Sequence, residues 1–244
     1  MQISVLSWNI HKGIGGLDRR YRLDRVIDVL AHHDADVLLL QEVDEGTVRT
    51  RFDRQIDVIG DALGLHQRLY QPTHKLRKGH YGNAILSRWP LSDTHTVDLT
   101  IAPKKKRIAL CARIRVRLAG SSRSMMLVNL HLGLAGVERK LQLRRLFSSH
   151  PIVRVHRRTP MVLGGDFNDI WGTLEGKLLE PAGFRRVGSR KNSYPAVWPV
   201  RPLDGIFSRG DIQSLRCVTS RLKLAREASD HLPLVADFRI ESKY

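Results

Sequence analysis

The sequence predicts one mixed α/β domain, and three features carry that expectation. Short apolar runs of strand type alternate with stretches that carry apolar residues at helical spacing. No low-complexity linker divides the chain, and no repeat of roughly 20–50 residues recurs in it. At 244 residues the chain is long enough to bury a substantial core within a single domain spanning 1–244.

The elements follow in order. Residues 2–8 (QISVLSW) read as a buried strand. Residues 22–33 place Leu23, Val26, Ile27 and Leu30 on one helical face. Residues 36–40 (DVLLL) form a second buried strand ending at Gln41-Glu42. A short helix is expected over 53–63 and strands over 83–87, 108–118 and 125–132. In 108–118 (IALCARIRVRL) the second half alternates apolar and basic residues, as a strand does with one face buried and one wet. A helix over 136–149, a buried strand over 161–167 (MVLGGDF) and a short helix over 173–180 follow. Residues 187–203, rich in Gly, Ser, Pro and Arg, read as a long surface loop. Strands near 204–208, 211–218 and 232–240 end the chain.

Charge is the unusual quantity. Forty-one Lys and Arg against 24 Asp and Glu give a net charge of +17, which draws the chain to polyanions without choosing among nucleic acid, anionic lipid and free phosphate compounds. Two cysteines, Cys111 and Cys217, lack metal-site spacing and do not make a disulfide framework. The sequence starts without a secretory pattern and holds no apolar run of the ~18–20 residues a bilayer span needs. A cytoplasmic location is the expectation.

Chemistry-bearing residues collect at strand ends. Trp8-Asn9 closes the first strand, Gln41-Glu42 the second, Asn129-Leu130-His131 the strand at 125–132, and Gly164-Gly165-Asp166-Phe167-Asn168 the strand at 161–167. Leu203-Asp204 opens a late strand, and Ser229-Asp230-His231 precedes the last. A rigid sheet positions groups at its strand ends while the loops leave them accessible. If these ends converge, the site holds Asn9, Glu42, Asp166, Asn168 and Asp230 with His131 and His231. Oxygen donors without thiolates suit Mg²⁺ or Mn²⁺, and crowded carboxylates call for a compensating cation. With such an ion, Asp166 aligning a water and Asp204 orienting a histidine, the set suits phosphoryl transfer to water.

Alone, each residue has a plainer structural reading. Asn9 suits a turn, Glu42 and Asp166 suit surface strand ends, Asp230 suits a cap, and a lone histidine is more often a satisfied structural one. Lys104-Lys105-Lys106-Arg107 reads equally well as a solvated turn. His11 and His80 sit in loops near matched residues, and loop exposure is the default for both. Tyr194 and Trp198 suit stacking on a base, entry into a lipid interface, or loop packing. The basic, amphipathic stretch 138–158 suits docking on its own core, with an anionic surface as a second role.

The ordered series Trp8-Asn9, Gln41-Glu42, Gly82-Asn83-Ala84-Ile85-Leu86-Ser87, Asn129-Leu130-His131, Gly165-Asp166-Phe167-Asn168, Asp204 and Ser229-Asp230-His231 resembles the endonuclease/exonuclease/phosphatase superfamily over nearly the whole chain. The resemblance implies a two-sheet, four-layer α/β sandwich of the DNase I-like kind. It implies Glu42 as principal metal ligand with Asn9 and Asp230 close to the metal. It also implies Asp166 and Asn168 as the pair that orients water and binds phosphate, and His231 on the scissile phosphate. His131 would be the second histidine, with Asp204 as a partner carboxylate. Arg107 resembles a basic phosphate contact, and Asn83 falls inside a matched block as a further substrate-binding candidate. The implied activity is divalent-metal-dependent hydrolysis of a phosphodiester by in-line attack of water, with a nuclease slightly favoured. A phospholipid or inositol-type phosphodiesterase or phosphatase stands close behind, and a non-catalytic anion-binding module further off. Nucleic acid and an anionic membrane are the candidate partners, and a monomer is expected.

Overall fold

The computed structural model describes residues 1–118 and 121–241. The expected domain span of 1–244 therefore includes 119–120 and 242–244, which lie outside the described residues. In chain order the strands are β1 (Gln2–Asn9), β2 (Val37–Glu45), β3 (Gln67–Lys75), β4 (His80–Ser87), β5 (Ser92–Asp98), β6 (Ile108–Leu118), β7 (Ser121–His131), β8 (Met161–Asp166), β9 (Arg185–Arg186), β10 (Asp204–Arg209), β11 (Gln213–Thr219) and β12 (Leu234–Arg239). The helices are α1 (Leu23–His33), α2 (Gln55–Ala62), α3 (Gly136–Phe147), α4 (His150–Val153) and α5 (Lys223–Ala228).

Two six-stranded mixed sheets result, in the orders β11-β12-β1-β2-β4-β3 and β5-β6-β7-β8-β10-β9. In each, two adjacent parallel strands, β1–β2 and β7–β8, lie at the middle with antiparallel neighbours outside them. Side chains of a strand alternate between faces, and the apolar run of β2 uses both. Val37 and Leu39 join Ile3, Val5, Leu127 and Val162 in the core between the sheets. Leu38 and Leu40 turn the other way, onto α1 and α2 through Val26, Leu30, Ile56 and Ile59. The second sheet repeats the pattern, with Leu127 facing the first sheet and Met126 and Val128 packing under Leu143 and Leu146 of α3. The layers run helix, sheet, sheet, helix, as the two-sheet expectation required.

The sheets approach closely where side chains are smallest. A Cβ on Gly164 would stand 2.7 Å from Leu39 Cδ1 across the core. Asn129 crosses the same gap: its Nδ2 donates to the Leu40 and Ala84 carbonyls at 2.8 Å, and its Oδ1 accepts from Gln41 Nε2 at 2.8 Å. A buried amide paired in this way ties the two sheets in one register.

The structure corrects several element boundaries. Strands β3 and β5 and the two-residue β9 are not legible in the sequence, nor is the short helix α5. β3 and β5 are edge strands. Every β3 residue before the exposed Lys75 is half-buried, and Val97 alone is buried in β5, so neither shows the alternation that a half-buried strand needs. The helix expected over 136–149 ends at Phe147, with α4 resuming at His150. The helix expected over 173–180 is a π-helical turn at Glu175–Leu179. Of the expected 138–158 segment, Leu143 and Leu146 dock on the core, while Leu141 and Val153 stay exposed.

Candidate active site

The register of the sheets brings the predicted strand ends to one edge. Asn9 pairs beside Gln41 in the first sheet, and His131 pairs beside Asp166 and Asp166 beside Asp204 in the second. Asn9 Nδ2 then donates across the sheets to Asp166 Oδ2 at 3.2 Å.

A bulge places Glu42. The sequence ends this strand at residue 40, but β2 runs on to Glu45, with its pairing to β4 shifting between Leu40 and Val43. Glu42 sits in the shift with φ of 55°, a left-handed conformation that costs a side-chain-bearing residue energy and recurs at functional positions. Asn168, with φ of 51°, is held the same way. Its backbone N–H donates to Asp166 Oδ1 at 2.9 Å and its amide Nδ2 to the Leu132 carbonyl at 3.0 Å, leaving one amide N–H for a ligand.

Asp166 is the hub. It is 2 % exposed, and both histidines face one of its oxygens: His131 Nε2 at 3.4 Å and His231 Nε2 at 3.9 Å from Oδ2. Burial raises the Asp166 pKa, against the pull of the two imidazoles, which makes it a better proton acceptor than an exposed carboxylate. His231 Nδ1 meets Asp204 Oδ2 at 2.8 Å, and Ser193 donates its hydroxyl to the same oxygen. The ring of Tyr194 packs on His231 at 4.9 Å between centroids, and the His231 carbonyl accepts from the Trp8 indole at 2.7 Å.

The two histidines differ in charge, one neutral and one cationic. Burial, reinforced by Arg107, pushes His131 down to about 4, so its imidazole is neutral. Burial pulls on His231 too, but Asp204 and Asp166 overcome it and hold the imidazolium up to about 10. Asp166, Asp204 and His231 place ligand-type atoms within 4.8 Å of one another. The Asp204–His231 hydrogen bond and the Ser193 hydroxyl already occupy that cluster, so a proton relay suits it better than an ion.

Glu42 is the better cation ligand. Burial works against its charge, yet Lys12, then His131 and His11, hold its pKa at about 2, so the carboxylate is ionised at any physiological pH. The Lys12 ammonium bonds Glu42 Oε2 directly. Lys12 is set by a left-handed turn at φ of 64°, by Gln55 Nε2 donating to its carbonyl at 2.7 Å, and by the Tyr81 ring 5.7 Å from its nitrogen. Asn9 Oδ1 accepts from the His11 N–H at 3.1 Å and keeps a second lone pair. Asp230 stands beside the same loop, its Oδ1 3.9 Å from His11 Nδ1, so Glu42 and Asp230 share an edge through His11. Carboxylate and amide oxygens of this kind suit a hard divalent cation, and Lys12 is a resident competitor for Glu42.

The substrate-binding candidates lie close by. Asn83 is 2 % exposed with Nδ2 unpartnered, and Arg107 acts on His131 while its buried Nε is unpartnered. Buried donors without acceptors are expensive unless a ligand completes them. Sequence reasoning missed Lys12 and Ser193. Lys12 had only its position three residues after Asn9 to mark it, and Ser193 lies in the loop that the sequence leaves without order.

The pattern that defines the Endonuclease/Exonuclease/phosphatase family matches residues 6–231. The chain belongs to that family. It is 27% identical to the uncharacterized protein YbhP of Escherichia coli K12, over 97% of this chain and 96% of that one. Among solved structures, the endonuclease/exonuclease/phosphatase from Beutenbergia cavernae superposes with a TM-score of 0.81 at 22% identity, over 99% of this chain and 72% of that one. ANGEL2, a 2',3'-cyclic phosphatase, superposes with a TM-score of 0.76 at 20% identity, over 99% and 96%. Identities this low speak for the fold. Membership makes the chain a phosphoesterase of this superfamily.

Proposed function

We propose that this family member hydrolyses an anionic phosphodiester by in-line attack of water, with Mg²⁺ or Mn²⁺ at Glu42, Asn9 and Asp230. The observation that carries the proposal is the buried chain Asp204–His231–Asp166–His131, which pairs a carboxylate primed to accept a proton with one charged and one neutral imidazole. Bound there, the cation supplies Lewis-acid polarisation of a phosphoryl oxygen.

The chain's own groups do the rest. Asp166 accepts a proton from water as the water oxygen bonds to phosphorus. The bond to the leaving oxygen breaks in the same displacement, and the leaving alkoxide takes its proton from solvent. His231, an imidazolium fixed by Asp204, donates to a phosphoryl oxygen whose negative charge grows. His131 stays neutral and donates through one nitrogen, while Asn83, Asn168 and Arg107 offer donors to the remaining oxygens. A net charge of +17 selects a polyanionic setting without choosing between nucleic acid and lipid.

The test is turnover of bis(4-nitrophenyl) phosphate with Mg²⁺, Mn²⁺ or chelator, followed by DNA, RNA, phospholipid vesicles and inositol phosphates. Metal-dependent release of nitrophenolate is expected. Full activity in chelator would overturn the mechanism, and no hydrolysis of DNA or RNA at low salt would end the nuclease reading.

A further inference from the structure

Exposed apolar side chains concentrate around the catalytic edge. Leu17 lies in the loop after Asn9, Phe52 in the loop after Glu42, and Leu134 three residues past His131. Trp171 lies five residues past Asp166, and Trp198 and Val200 lie in the loop that leads into Asp204. Leu134 is 77%, Trp171 80% and Trp198 76% exposed, values near those of side chains in free solution. The other two tryptophans, Trp8 and Trp89, pack into or against the core. At the opposite edge Leu65 is buried and Trp89 and Ile212 pack on the core, while Met1 and Val153 are exposed without an aromatic side chain beside them in the sequence.

Cations stand among these tips. Arg19, Arg51 and Arg201 are exposed on the same loops, and Lys78, Lys104 and Lys105 are exposed on the β3–β4 and β5–β6 connections. The Lys78 ammonium lies 5.8 Å from the centre of the Phe52 ring, so an apolar tip and a charge are presented together. The acids nearby are engaged, Asp18 by Arg25 and Asp53 by Tyr21.

We infer that this edge docks on an anionic phospholipid surface and that the phosphodiester cleaved belongs to a lipid headgroup. As a statement of substrate the inference rests on the phosphodiesterase reading above. A nucleic-acid groove would account for the cations, and a tryptophan can stack on a base, but Leu17, Leu134 and Val200 gain nothing from a phosphate backbone. A protein partner needs a continuous complementary patch, whereas these tips stand on separate loops with charges between them. A bilayer interface takes such a surface. Aliphatic tips reach the boundary of the acyl chains, indole rings favour the headgroup level, and Lys and Arg meet anionic headgroups. Headgroup phosphodiesters lie at that depth, facing the Glu42–Asp166 cluster that the tips surround.

The experiment is sedimentation of the full chain with phosphatidylglycerol vesicles and with phosphatidylcholine vesicles, in chelator so that no turnover occurs. Wild type is expected to partition onto phosphatidylglycerol at least tenfold more strongly than onto phosphatidylcholine. W171A/W198A, which alters only exposed side chains, is expected to lose at least tenfold of that partition with an unchanged circular dichroism spectrum. Equal partition onto both vesicles, no partition, or undiminished partition of the double variant would overturn the inference. So would displacement of bound wild type by an equal phosphate concentration of single-stranded oligonucleotide. Hydrolysis of bis(4-nitrophenyl) phosphate is measured separately, so a chain that hydrolyses without docking is distinguished from one that docks without hydrolysing.

Discussion

His231 Nδ1 lies 2.8 Å from Asp204 Oδ2, a contact between the loop before β12 and the first residue of β10, and it sets the charge of the imidazole facing Asp166. Asp204→Asn removes the carboxylate but keeps the shape. Turnover of a soluble diester should fall on the order of 10²- to 10⁴-fold with little change in KM, because the amide neither holds the tautomer nor stabilises the cation. Turnover equal to wild type would make Asp204 merely structural.

The same pair couples stability to pH. The folded-state pKa of His231 is raised from 6.5 to about 10, so the imidazolium favours the folded form. Its stabilisation is fully present below pH 6.5 and is lost as pH rises through about 10. Urea unfolding of the metal-free protein should show wild type losing stability across that window and Asp204→Asn losing less. An NMR titration in which His231 deprotonates near its ordinary value would contradict the assignment.

Lys12 competes with any cation for Glu42. Lys12→Met should tighten Mn²⁺ binding, read by titration calorimetry, by roughly fivefold to tenfold, since a unit charge at contact distance is worth about 1 kcal/mol even in water. Unchanged affinity would place the ion elsewhere. Glu42→Ala should weaken Mn²⁺ binding in the same assay.

Removal of metal should leave the fold intact. The proposed ligands are oxygens on two strands and a loop already held by the two-sheet core, unlike a fold that forms only around its ion. Chelator should shift the melting temperature only by the ordinary ligand-binding increment, and unfolding in chelator would refute this arrangement.

Asn129 makes three buried hydrogen bonds between the sheets. Asn129→Ala strips partners from the Leu40 and Ala84 carbonyls and from Gln41, and should cost roughly 2–4 kcal/mol in urea unfolding at about 1 kcal/mol per bond. Loss of less than about 0.5 kcal/mol, within the usual range for surface substitutions, would show that water replaces the amide without penalty.

Much of this site was legible from the chain alone. Asn9, Glu42, Asp166, Asn168, Asp204 and His231 stand at ends of runs such as DVLLL and MVLGG, whose apolar character marks strands buried on both faces. Local sequence therefore determined which residues would be presented at strand ends, and the order of those blocks determined the family. The edge strands β3 and β5 were not legible, because hydrogen bonds to a neighbour hold them and local burial does not mark them.

Tertiary structure decided the rest, because it depends on groups far apart in sequence. Whether His131 or His231 carries the charge follows from which carboxylates and guanidinium the sheet register brings to each ring. That Lys12 meets Glu42 follows from a left-handed turn and a strand bulge, neither of which periodicity encodes. That Trp171 and Trp198 stand in solvent at the catalytic edge follows from a core already filled by other side chains, a limit set by packing volume that no local pattern records.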